Sequence, residues 1–106
     1  MGYIMAFSWY PPQQSAKWAE VIQAAVTKFP VDPSWGTTIL PIAFGSDKDG
    51  LTALSIFLPS KGNFEKAWEN IRKVMGYLAD VEGCRWQIRH WTTMEEALAD
   101  AASRGS

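Results

Sequence analysis

The run Tyr3-Ile4-Met5-Ala6-Phe7-Ser8-Trp9-Tyr10 is apolar on both of its alternating faces, and Pro11-Pro12 stops it abruptly. Successive side chains of a strand point to opposite faces, so this pattern demands a central strand buried on both sides. Tyr3, Met5, Phe7 and Trp9 take one face; Ile4, Ala6 and Tyr10 take the other. The chain has 106 residues, which is enough for one hydrophobic core and too few for two. A monomer of that size cannot keep both faces dry. A homodimer through the open sheet face is therefore expected, because a contiguous exposed apolar patch marks an interface.

Beyond Ser15, a candidate N-cap, Trp18, Ile22, Ala25, Val26 and Phe29 recur at helical spacing until Pro30 ends the helix. Thr37 to Phe44 reads as a second strand, and Pro41, which has no ladder donor, assigns it to an edge. Gly45 to Gly50 reads as a hairpin turn and Leu51 to Leu58 as a third strand. Asn63 is placed to cap a second helix with the apolar stripe Phe64, Ala67, Trp68, Ile71, Met75 and Leu78. Arg85 to Trp91 alternates cleanly, with Trp86, Ile88 and His90 opposite Arg85, Gln87 and Arg89. Thr92 or Thr93, each with Glu three residues later, predicts a capping box for a short last helix built on Met94, Ala97, Leu98 and Ala101.

The order is β-α-β-β-α-β with a C-terminal helix. A faint internal repeat supports it: strand one, Pro11, a polar gap and Lys17-Trp18 parallel strand three, Pro59, a polar gap and Ala67-Trp68-Glu69. Two split βαβ units with right-handed crossovers interlock into one antiparallel sheet with both helices on one face. The expected fold class is α+β, a ferredoxin-like plait of strand order 4-1-3-2, forming a single domain over 1–104. Residues 105–106 read as a scar left by cloning.

In this element order, and in its strand-Pro-Pro-helix and Val81-Glu82-Gly83 transitions, the chain resembles the dimeric α+β barrel proteins. That group includes cofactor-free monooxygenases, haem-degrading enzymes, lactone isomerases, ligand-sensing domains and small proteins of unknown function. The resemblance implies two sheets packed face to face and, by itself, no particular activity.

Ten Lys and Arg against eleven Asp and Glu leave a net charge of -1. That lacks the basic footprint a phosphate backbone requires, and strand three, LTALSIFL, has one aromatic and no basic residue, unlike an RNA-reading plait. No nucleic-acid partner is expected. No apolar stretch is long enough to span a bilayer, and the start of the chain has no secretory pattern, so neither a membrane nor export is expected. The single cysteine, Cys84, stands without zinc-ligand neighbours. A reduced, cytoplasmic chain with no metal and no cofactor follows.

Four features invite chemistry. His90 alone has an unperturbed pKa near neutrality, so a catalytic acid or base would be His90. Pairing strand four against strand one puts it near Tyr3 and Ile4. At the other end of those strands, Tyr10 and Trp9 are expected near Trp86 across an antiparallel pair and near Phe57 across a parallel pair. Tyr10, Trp86 and Phe57, with Trp68 from the second helix, are then candidates to line a flat apolar site, Tyr10 supplying the polar handle. Cys84 beside Arg85 invites a lowered thiol pKa. Asp47-Lys48-Asp49-Gly50 carries two carboxylates but lacks the other ligands of a calcium loop, and turn chemistry accounts for it. The reading is a non-catalytic dimeric module that binds a small apolar or aromatic molecule or a protein partner. The alternative is a cofactor-free enzyme of the monooxygenase or isomerase type, with its pocket between sheet and helices.

Overall fold

The computed structural model describes residues 2–48 and 50–105. Strand β1 (Tyr3–Tyr10) follows its sequence pattern: Ile4, Ala6, Ser8 and Tyr10 are buried, and the alternate residues are half-buried. It is central, with β3 (Gly50–Pro59) and β4 (Arg85–Trp91) antiparallel on its two sides. Strand β2 (Gly36–Asp47) pairs only with β3, so the sheet order is β2-β3-β1-β4, which is 4-1-3-2 counted from the β4 edge. With helices α1 (Ser15–Lys28), α2 (Phe64–Gly76) and α3 (Met94–Gly105), the chain is an α+β protein with the ferredoxin-like element order.

Pro41 lies on the edge strand and is exposed. The ladder between β2 and β3 shifts register on both sides of Leu40, between Thr38 and Leu40 and between Leu40 and Ala43. Such bulges follow where a residue cannot donate, and they twist an edge away from further pairing. The hairpin is tighter than the Gly45–Gly50 turn the sequence predicts. Pairing continues through Ser46 and Asp47, closing at Asp47 opposite Gly50. Gly50 has φ 115°, and a Cβ there would stand 2.9 Å from the Tyr10 carbonyl oxygen, so this tight closure requires glycine. Asp49 lies outside the described residues.

Helix starts depart from the sequence reading. Ser15 does not cap α1. A 3-10 turn over Pro12–Gln14 precedes the helix, and the Ser15 hydroxyl donates to the Pro12 carbonyl at 2.7 Å. Asn63 precedes α2 without a side-chain cap; its amide donates to the Ser60 hydroxyl at 2.8 Å, bracing the loop. Thr93 does cap α3, accepting from the Glu96 amide at 3.1 Å. Helix α3 extends through Gly105, one residue into the segment read as a scar, and Ser106 lies outside the described residues. Its expected apolar stripe is not packed, since Met94 is 79% and Leu98 63% exposed.

The core lies between the helices and one sheet face. Its larger cluster joins Ala6 and Tyr10 of β1 to Trp18, Val21, Ile22 and Ala25 of α1 and to Val74 and Met75 of α2. Leu78, with no exposed surface, falls just past α2 in a 3-10 turn. Asn70 interrupts the apolar stripe of α2 for a structural reason: its amide donates to the Phe29 carbonyl at 3.2 Å, at the C-terminal end of α1. A last-turn carbonyl has no helical partner, so this bond satisfies an orphan acceptor and fixes the two helices to each other.

Candidate functional site

Across the two central strands, Ala6 faces Ser55 and Ser8 faces Ala53. Directly paired residues share a sheet face, so four small side chains form a patch beneath the helices. Helices pack at a distance set by their larger contacts; the Trp18 indole reaches Ser8, and the space beside it is left unfilled. The result is a cavity of about 170 Å³ between sheet and helices. Trp18 and Ile22 of α1 and Ile71, Val74 and Met75 of α2 roof it, and Phe57 closes one end. Its rim on the β2 side includes Val26, Val31 and Ile42, all exposed. None of the lining residues is ionisable; the polar ones are Ser8, Ser55, Thr38 and Asn70.

Ser8 is 1% exposed. Its hydroxyl accepts a hydrogen bond from Trp18 Nε1 at 3.0 Å. Trp18 is itself stacked on Tyr10 at 5.1 Å between ring centroids, with Phe44 meeting its edge at 5.5 Å. Tyr10 is therefore core, and it does not line the cavity. Burial pushes its phenol pKa up, with the nearby Cys84 adding to the rise. The folded state favours the neutral phenol, so this contribution is intact below the unfolded value of about 10 and is lost as pH rises through the higher folded value. Tyr10→Phe is expected to flatten the alkaline decline of stability, measured as the urea midpoint between about pH 9 and 11.5. An unchanged decline would show that Tyr10 ionises as freely in the folded chain as in the unfolded one.

The candidate residues do not form one cluster. Trp86 pairs with Ser8 and so shares the Tyr10 face, but it is 36% exposed and lies outside the cavity. Phe57 lines the cavity but stands away from Tyr10. Strands β1 and β3 are antiparallel, which sets Phe57 opposite Ile4 and leaves Leu51 opposite Tyr10. Phe57 belongs with Ile4 and Ala67 in a second small cluster, against which Trp68 and Phe64 pack.

His90 does pair with Ile4, as expected, and its ring sits 4.6 Å from that of Phe64. With Trp68, Glu65 and Glu69 it borders a shallow groove separate from the cavity. Cys84 is a free, half-buried thiol whose pKa is raised by burial, opposite to the lowering expected from Arg85. Among the described residues no group of three or more His, Cys, Asp or Glu side chains gathers to hold a metal ion, and no helix is long and apolar enough to cross a membrane.

The opposite sheet face carries Met5, Phe7 and Trp9 with Leu54 and Ile56. Phe7 and Trp9 stack at 5.8 Å, the Arg89 guanidinium lies 4.9 Å over Phe7, and that of Arg85 5.7 Å over Trp9. Among the described residues, the core clusters of α1 and α2 lie on the other face, and Met5, Phe7, Trp9, Leu54 and Ile56 are half-buried.

No family model matches the chain, and no curated protein matches it. Among solved structures, the de novo designed protein Foldit4 aligns with a TM-score of 0.49 and 10% identity, over 87% of this chain and 96% of its own. A dimeric ferredoxin-like protein of unknown function from Thermobifida fusca YX aligns with a TM-score of 0.43 and 16% identity, over 84% of this chain and 91% of its own. The strand pairing and order described above define the fold.

Proposed function

We propose that this chain is a non-catalytic binding module, a single domain over 1–104 that holds a small apolar molecule between sheet and helices and pairs with a second copy through its open sheet face. The observation that carries the binding reading is the cavity of about 170 Å³ with no ionisable lining residue. Apolar cavities of about 150 Å³ stay dry and take up benzene, so the volume suits one aromatic ring or a short aliphatic chain. The pairing reading is supported by the half-buried apolar stripe Met5, Phe7, Trp9, Leu54 and Ile56 on the sheet face away from the core clusters. The single thiol, free in the fold, is compatible with a reduced cytoplasmic setting.

A cofactor-free enzyme would need a proton acceptor or donor of suitable pKa at the cavity. Neither His90 nor Tyr10 lines it, and the binding module is the better supported reading. Ala53→Leu places a branched side chain in the floor, and is expected to abolish binding of acetophenone and ethylbenzene followed by chemical-shift change. His90→Ala is expected to leave that binding intact. Retained binding in Ala53→Leu would put the site elsewhere and defeat the reading.

A further inference from the structure

Helix α3 has an apolar stripe, Met94, Ala97, Leu98 and Ala101, that belongs to neither core cluster, and all four residues are exposed. A helix of 12 residues is at the margin of stability in water unless one face is packed. The radius of gyration is 15.4 Å, against about 13 Å for a compact domain of this length, so part of the chain stands off the body. The cavity, for its part, has an unfinished wall: Val26, Val31 and Ile42 on its rim are 45%, 41% and 40% exposed. One chain thus carries a bare apolar helix and a bare apolar mouth. Its own helix cannot serve its own mouth. Helix α3 follows β4 and the mouth adjoins β2; these are opposite edges of the sheet, about 14 Å apart, with α1 and α2 packed on the face between them.

From this we infer that the mouth of each cavity is closed by α3 of a second copy, so that Met94 and Leu98 of one chain complete the binding site of the other. The inference rests on both the cavity and the pairing proposed above. When two such sheets meet face to face about a twofold axis parallel to the strands, β4 of one copy lies over β2 of the other. The root of α3 then stands beside the other copy's mouth. Facing sheets lie about 10 Å apart and a 12-residue helix runs about 18 Å, so α3 is long enough to pass the β2 edge of the other copy and reach the rim between its β2 and α1. Charge agrees with this placement. Glu95, Glu96 and Asp100 flank the stripe, and the ammonium groups of Lys28 and Lys73 lie 5.7 and 5.8 Å from the centre of the Phe29 ring, which lines the cavity. The acidic neighbour of the rim, Asp32, is turned to Ser34. A twofold exchange covers helix and mouth in both copies at once, whereas an unrelated partner seated on either surface would leave the other bare.

The test titrates ethylbenzene into the full chain, into Leu98→Glu, into Phe7→Asp and into the double variant, with the mass of each read by light scattering. Leu98 is 63% exposed in its own chain, so Leu98→Glu is expected to fold and to remain a dimer through the sheet face. It is expected to bind ethylbenzene about tenfold more weakly, the equivalent of about 50 Å² of apolar surface returned to water at the mouth. Phe7→Asp, a monomer, is expected to show the same loss, and the double variant no further loss, because a monomer has no second helix to remove. Dissociation of Leu98→Glu with that loss would itself place α3 in the interface. Full-strength binding by a dimeric Leu98→Glu would overturn the inference and leave the cavity as the site. A second tenfold loss on adding Leu98→Glu to Phe7→Asp would show α3 closing the mouth of its own chain, against the second-copy assignment. Absence of binding by the wild type would defeat the cavity reading, and a monomeric wild type the pairing reading; either result removes the inference with it. The comparison of Leu98→Glu with the wild type stands whatever Phe7→Asp does to folding.

Discussion

Trp18→Ala is expected to remove about 3 to 5 kcal/mol of folding stability, read as the loss in unfolding free energy by urea denaturation. Trp18 is 5% exposed, stacks on Tyr10, meets Phe44 edge-on and donates its indole proton to Ser8. Truncation removes aromatic area, joins the space left behind to the existing cavity, and takes away the donor that serves Ser8 Oγ. Trp18→Phe is expected to cost less, retaining the stack but losing the hydrogen bond, worth roughly 1 kcal/mol. Trp86→Ala is the control, since that ring lies at the sheet edge and is 36% exposed; its cost is expected to stay near 1 kcal/mol or below. Equal losses at Trp18 and Trp86 would contradict the packing described.

Phe7→Asp is expected to convert the chain from a dimer to a folded monomer in light scattering at micromolar concentration. The mass read should fall from about twice 11.8 kDa to 11.8 kDa itself. Phe7 sits at the middle of the face away from the core clusters, stacked on Trp9 beneath Arg89. Aromatic anchors at interface centres cost about 2 kcal/mol or more when lost, roughly a thirtyfold weaker dimer, and a buried carboxylate adds to that. The residue points away from the helix-side core, so the far-ultraviolet spectrum should stay unchanged. A wild-type chain that is monomeric throughout this range would remove the interface.

The parts of this fold that were legible in sequence are those that repeat at short range. The two-faced run of β1, the alternation of β4 and the proline on β2 each constrain a strand through its own residues. Strand direction was legible too, but only through connectivity. Helix α1 crosses over to make β2 parallel to β1, and the hairpin then returns β3 antiparallel to both. Treating β1 and β3 as parallel moved Phe57 to the wrong end of the sheet, and with it the expected aromatic site. The cavity was harder to see, because hydrophobic periodicity registers which residues face inward and not how far they reach. Its signal was the small size of Ala6, Ser8, Ala53 and Ser55 at inward positions of the two central strands. Asn70 left no local mark at all, since its partner, the Phe29 carbonyl, lies 41 residues away.

The small-residue floor also separates two kinds of heritable change. The ladder between β1 and β3 is made by backbone groups and is indifferent to whether a methyl or a hydroxymethyl group stands above it. An exchange of alanine for glycine, serine or valine at positions 6 or 53 would therefore resize or repolarise the chamber while strand register and the open face stay as they are. Under the binding and pairing proposed above, single steps at these positions would change which small guest fits while leaving untouched the face proposed for self-association.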